Sequence, residues 1–351
     1  MKEIGIALVF GHMLAVAGCR TSTFIADERR DDTETTSDMP TDFQTDSDTA
    51  MDSQTGSPTD SDTVTDSSTD SDTHEDSDSS PLDCEGLSAT PADIDRTVQV
   101  DGRDRSYVLH IPDTYTGTTP APLIIEYHAI GGTGRMQLSI SSYPSVTDSD
   151  GVVMAFPNGW EGPSGTAWSI GPCCTNKEDN IDDVAFTAAI ITDIKTIACI
   201  DPSRIYATGL YIGGGMAYHL ACQSADTFAA VVSSAFDLND TTVDACLPQR
   251  PMTVVAFRAT EDNIIPYEGG LTYFVPGQPV TFLGAENTFD RWAALNGCTG
   301  VPTDAGEGCQ LYGTSQCEAG VEVMLCTEQG AVSFYDDAAI AWPVLQNHSL
   351  P

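Results

Sequence analysis

The sequence predicts an α/β fold for residues 84–351: a mostly parallel sheet flanked by helices and stapled by disulfides. Three observations lead there. Short apolar runs of strand length alternate with segments whose apolar residues recur at helical spacing, which is the pattern of a parallel sheet with crossover helices. Ten of the eleven cysteines fall at or after Cys84. Residues 31–83 carry 17 acidic side chains and no Lys or Arg, so the folded part has to begin after them.

The elements follow in order. Residues 105–112, RSYVLHIP, alternate like a strand and stop at proline. Residues 122–128, PLIIEYH, form a buried-strand run that leads into Gly131 and Gly132, and residues 151–157, GVVMAFP, form a third strand before the turn Asn158-Gly159. From Val184 to Cys199 the apolar residues Phe186, Ile190, Ile191, Ile194 and Ile197 sit on one helical face. RIYATG at 204–209 is a fourth strand, a helix is expected from Gly213 to Cys222, and MTVVAF at 252–257 is a fifth strand. About 268 residues suits a single α/β domain.

The N-terminal part reads differently. Residues 1–18 hold Lys2, a short apolar stretch through Ile4, Ile6, Leu8, Val9 and Phe10, and then Leu14-Ala15-Val16-Ala17-Gly18 before Cys19. Small residues ahead of a cysteine resemble the bacterial lipobox, which implies lipidation of Cys19 and export to the cell envelope, with the outer membrane or cell surface as destination. The apolar run is too short to span a bilayer. Residues 19–83 then read as a lipid-anchored tether rich in Ser, Thr and Asp. Such a stretch has almost nothing apolar to offset the entropy of ordering, so disorder is expected. A coil of this length spans on the order of 45 Å.

The formal charge of −38 argues against nucleic acid as a partner, since phosphate backbones are repelled. No paired Cys-x-x-Cys spacing exists and the chain has six histidines, so neither a metal nor another cofactor is expected. With Cys19 set aside, the even cysteine set reads as up to five disulfides in an oxidising compartment. Cys222–Cys246 and Cys309–Cys317 are plausible local closures, and Cys173 beside Cys174 suits two separate bridges.

Chemistry is expected at the strand-to-helix loop Gly209-Leu210-Tyr211-Ile212-Gly213. Its glycines match the nucleophile elbow G-x-S-x-G, where a sharp turn lifts the central side chain above the sheet. Tyr211 stands in the place of the serine. The wider sequence resembles the secreted esterase group of polyhydroxybutyrate depolymerase-like proteins, feruloyl esterases and acetylxylan esterases, which are α/β-hydrolases. The matching segments include EYHAIGG (126–132), FPNG (156–159), WSIGPCC (168–174), IDDVAF (181–186), CIDPSRIYATG (199–209), RWAALNGC (291–298) and AWP (341–343).

The resemblance implies a Ser–His–Asp triad. The family's H-G-T-x-D-x-x-[IV]-P-Y segment falls on Arg258–Tyr267, which keeps the triad acid as Asp262. Its G-H-x-W-P segment falls on Ala339–Pro343, which puts Ile340 at the histidine position. The oxyanion loop falls on His128, Ala129, Ile130, Gly131 and Gly132, and the Ile212 N–H follows the elbow residue as a second oxyanion donor. Trp342 and Tyr267 are candidates for the cleft wall or for core packing, and Asp262 for a turn cap or ion pair. A tyrosine hydroxyl is almost wholly protonated at pH 7, and an isoleucine moves no proton. The expectation is a non-catalytic or strongly impaired relative of carboxylic-ester hydrolases that binds polysaccharide or polyester. The competing readings are an active esterase with a displaced nucleophile or base, with His128 or His348 as the base, and a gene copy losing function.

Overall fold

The computed structural model describes residues 84–351 apart from 88, 163, 172–178, 276 and 333–336. The signal segment, Cys19, the acidic tether, Cys173 and Cys174 lie outside the described residues. Ten strands form one sheet, in the order β1 (Ala92–Val100), β2 (Arg103–Ile111), β4 (Val153–Pro157), β3 (Ala121–Tyr127), β7 (Ile200–Leu210), β8 (Ala230–Ser234), β9 (Thr253–Ala259), β14 (Val323–Glu328), β13 (Cys309–Tyr312) and β12 (Thr303–Gly306). The six strands from β4 to β14 run parallel. Antiparallel strands finish both edges.

Strands buried on both faces read as continuous apolar runs, and alternate residues then serve opposite layers. Leu123, Ile125 and Tyr127 of β3 join the core on one face, and Ile124 joins the core on the other. The same division holds for Ile205 and Ala207 against Tyr206 on β7, and for Val254 and Ala256 against Val255 on β9. The first layer is completed by α3 (Asp183–Ile194), α4 (Ile212–Gln223) and α5 (Ala285–Leu295) through Phe186, Ile190, Leu220, Phe289 and Trp292. The second is completed by α1 (Gly134–Ile140), α2 (Tyr143–Thr147) and α6 (Asp337–Leu345) through Leu138, Tyr143, Trp342 and Leu345.

All five expected strands are present, and so are the two helices, one of them shorter than expected. The periodicity extended the first helix to Cys199, but α3 ends at Ile194. Cys199 is held by a disulfide to Cys84 and its carbonyl accepts from Ala121 N–H at 2.8 Å, so the chain has to leave the helix to enter β7. The IDDVAF segment explains how α3 starts. Asp182 caps it by accepting from Ala185 N–H, and the buried Asp183 pairs with Arg105 of β2 at 2.7 Å.

Four disulfides join described residues: Cys84–Cys199, Cys222–Cys246, Cys298–Cys317 and Cys309–Cys326. Cys222–Cys246 agrees with expectation. Cys309–Cys317 does not form. Cys309 stands directly opposite Cys326 in the β13–β14 register, and Cys317 lies against the end of α5 beside Cys298. Among the described residues no helix is long and apolar enough to cross a membrane, and no cluster of three His, Cys, Asp or Glu side chains is placed to hold a metal ion.

Candidate active site

The expected elbow is there. Tyr211 joins β7 to α4 with φ 49° and ψ −118°, a backbone conformation that costs a non-glycine residue on the order of 1–3 kcal/mol. Its N–H donates to Ser234 O at 2.9 Å, and its carbonyl accepts from Gly215 N–H at 3.0 Å. Gly209 and Gly213 are required by contact. A Cβ on Gly209 would lie 2.3 Å from the Gly213 carbonyl carbon, and one on Gly213 would lie 2.0 Å from Tyr127 O. The latter approach brings the exit of β3, and with it His128 and Ala129, against the start of α4 at Ile212. The two expected oxyanion elements are thus neighbours. Burial and the negative charge of Asp262 push the Tyr211 hydroxyl up to about 12.

Asp262 follows β9 in a tight turn. Its Oδ1 accepts from Ile264 N–H at 2.8 Å and Ile265 N–H at 3.0 Å, which sets the carboxylate's direction. Its Oδ2 is buried and has no hydrogen-bond partner among the described residues, and Arg258 Nη2 stands 3.9 Å away.

The sequence reading passed over Arg258 and Asp237. Arg258 continues β9 on the side that faces α4, and its guanidinium forms a fully buried ion pair with Asp237. Its Nη2 also donates to Ile265 O at 2.7 Å, on the acid turn. Burial pushes the Asp237 carboxyl up to about 6, against the pull of Arg258. The available signal was a lone arginine closing the apolar run MTVVAF.

The described histidines fall outside this constellation. His128 lies near it but is fully engaged. Its Nδ1–H donates to Ala129 O at 2.7 Å, and its Nε2 accepts from Gly159 N–H at 2.9 Å. That pattern selects the neutral Nδ1–H tautomer. Burial drives its pKa down to about 4, and the ring packs against Trp168. It pins the loop that leaves β3, and both of its ring nitrogens are taken. His348 approaches Glu322 at 3.3 Å, just before β14 begins. Asp262 follows the far end of the neighbouring β9, roughly 20 Å along the strands. His110 sits between Asp93 and Asp148. His219 is eight residues beyond Tyr211 on α4, about 12 Å along the helix.

Ile340 and Trp342 are not brought to the site either. Ile340 lies inside α6 and packs on the second core layer, whereas Tyr211 packs on the first. Trp342 donates its indole N–H to Asp150 at 2.7 Å and packs against Tyr206, so it belongs to the core and not to the cleft. The expected G-H-x-W-P alignment therefore does not locate the partner of Asp262. The segment beside the acid turn is the exit of β14: Thr260 N–H donates to Glu328 O and Glu261 N–H to Gly330 O. No histidine occurs between His219 and His348 in the sequence.

The strand order and elbow invite comparison with known proteins. No protein-family model matches the chain. Feruloyl esterase B of Piromyces equi is 43% identical over 251 residues, 70% of this chain and 46% of that protein. Feruloyl esterase C of Emericella nidulans is 30% identical over 231 residues and is matched over 70% of its length. The chain belongs to the feruloyl esterase family of α/β-hydrolases. This feruloyl esterase homologue spans less than half the length of the Piromyces relative. An acetyl xylan esterase from Aspergillus awamori shares the fold, with a TM-score of 0.50 at 14% identity over 71% of this chain and 98% of its own. The disulfides of the homologue fit an oxidising compartment.

Proposed function

We propose that this chain is a feruloyl esterase homologue that has lost efficient ester hydrolysis and keeps its cleft for binding polysaccharide. One observation carries the reading. Tyr211 occupies the strained elbow while Asp262 Oδ2 has no hydrogen-bond partner among the described residues, and the sequence has no histidine between His219 and His348. With its hydroxyl pushed up to about 12, Tyr211 is phenolate in about one molecule in 100,000 at neutral pH. Loss of the nucleophile or base of a serine hydrolase costs about a millionfold in turnover. Oxyanion donors and binding alone leave roughly a thousandfold over water. The engagement of both His128 nitrogens speaks against a displaced base there, and the position of His348 at the other end of the sheet speaks against the second candidate.

The test uses the purified full chain with p-nitrophenyl acetate, methyl ferulate and a fluorophosphonate probe. The expected result is no covalent labelling and no turnover beyond that residual level. Robust hydrolysis, or labelling at any residue, would overturn the reading. Polyester particles and feruloylated arabinoxylan then separate the two classes of bound polymer. The same proposal has the chain exported and held to the cell envelope by lipid on Cys19. Its check is incorporation of labelled palmitate, which Cys19→Ala should abolish.

A further inference from the structure

Three charged side chains meet at the acid turn. Arg258 of β9 forms its ion pair with Asp237, just after β8, and its Nη2 also stands 3.9 Å from Asp262 Oδ2. All three side chains are buried. One guanidinium therefore lies between two carboxylates, in contact with the first and about 1 Å short of a charge-assisted hydrogen bond to the second.

The carboxylates are fixed, and the cation between them is the part with freedom. Asp262 Oδ1 is held by the N–H groups of Ile264 and Ile265. Asp237 is followed by Leu238, whose N–H donates to Thr288 Oγ1 at 3.2 Å and whose carbonyl accepts from Leu283 N–H at 2.9 Å. The guanidinium reaches both acids from the end of a long side chain, pivoting on the bond from Nη2 to Ile265 O.

Charge decides which partner it keeps. With both acids ionised the three groups sum to a single negative charge, and Asp237 holds the cation. Once Asp237 takes a proton the sum is zero, and Asp262 is the remaining anion of the three, so the guanidinium is drawn to it. Burial first, and then the neighbouring Asp262, raise the Asp237 carboxyl to about 6 against the pull of Arg258, so the exchange falls in mildly acid solution. The other titratable groups around the three are mostly tyrosines. Tyr218 of α4, Tyr211 at the elbow and Tyr267 past the acid turn are all pushed up by burial and keep their protons throughout. His219 of α4 lines the same pocket as Asp237, and burial holds it below the usual histidine value. Tyr211 lies in the fields of both Asp262 and Arg258, so the exchange is felt at the elbow.

We propose that Arg258 is a buried charge switch, which sits on Asp237 in neutral solution and transfers to Asp262 when Asp237 is protonated. A hydrogen-bond donor presented to Asp262 from the elbow side meets a largely uncompensated carboxylate in the first state and a neutralised one in the second. The switch operates whether or not the chain hydrolyses esters, so it stands or falls separately from the function proposed above.

The test follows the aspartate carboxyl carbon-13 and arginine nitrogen-15 signals of the full chain by NMR over roughly pH 5–8. Asp237→Asn and Asp262→Asn assign the two carboxyls. Asp237 should titrate with a midpoint of about 6, and the Asp262 carboxyl and Arg258 Nη signals should move with that same midpoint. Asp237→Asn holds the cluster in its second state and should flatten both responses, whereas His219→Gln should leave them unchanged. Asp262→Asn removes the alternative partner and a like charge, so the Asp237 midpoint should fall by about one pH unit. An Asp237 titration that neither Asp262 nor Arg258 follows would overturn the proposal. So would an Asp237 that stays ionised across the range, or a midpoint unmoved in Asp262→Asn. Should Asp237→Asn fail to fold, the unaltered chain and Asp262→Asn still decide the matter.

Discussion

Replacing Arg258 with methionine keeps side-chain length in β9 and removes the cation that pairs with Asp237. Both partners of this ion pair are buried, with side-chain exposures of 0% and 1%. Breaking a buried pair by deleting one partner costs about 3–5 kcal/mol, because the other charge stays in a low-dielectric site. The lost donor to Ile265 O adds about 1 kcal/mol. Asp237 can escape part of this by taking a proton, and the sign follows from linkage. Its carboxyl is already raised to about 6, so between its unfolded value and 6 the native state holds a proton that the unfolded chain releases. Stability from this group is greatest at low pH and falls as pH rises through that window. Without Arg258 the carboxyl rises further and the fall continues past neutrality. The destabilisation should then be smaller at pH 5 than at pH 7 by about 1 kcal/mol. Urea denaturation followed by tryptophan fluorescence at both pH values measures this. Arg258→Met with Asp237→Leu should regain most of the loss, since an apolar pair can replace a buried ion pair. A single variant that loses less than about 1 kcal/mol, or a double variant as unstable as the single, would refute the argument.

Three further outcomes are expected. His128 is held neutral with its pKa near 4, so protonation opposes the native state and stability should be lost as pH falls from about 6.5 to 4, by about 3 kcal/mol in total; imidazole nitrogen-15 shifts should keep the neutral Nδ1–H pattern at pH 5. Replacing Cys309 and Cys326 together with valine opens a link of 17-residue separation between adjacent strands, and should lower the unfolding free energy by about 3 kcal/mol in calorimetry or denaturant titration. Tyr211→Ser alone should remain without ester turnover, whereas Tyr211→Ser with Ala331→His, just past the Gly330 contact with the acid turn, should give p-nitrophenyl acetate hydrolysis that Asp262→Asn removes.

Strand and helix positions were legible where the pattern is local. MTVVAF and PLIIEYH are central strands of a parallel sheet, and such strands carry apolar side chains on both faces, so continuous runs announce them. Edge and hairpin strands announced themselves less. β12 is exposed throughout, and β8, an AVVSS segment after a helix, has a length and composition that suit either element. The elbow was readable because its two glycines answer a local steric need, the approach of β7 to α4 and of β3 to Gly213.

The sequence by itself determined the fold class and the strand-to-helix turn that carries Tyr211, because each depends on residues close together in the chain. It also excluded a histidine between His219 and His348, which is a matter of composition. Tertiary structure decided what stands beside Asp262. An alignment by short motif had put Ile340 there, yet the exit of β14 is what touches the acid turn, and α6 carries Ile340 and Trp342 into the opposite core layer. The same holds for the partners of Cys309 and Arg258, and for the two bonds that immobilise His128. Sheet register and burial set those contacts, and both depend on strands that are distant in sequence and adjacent only after folding.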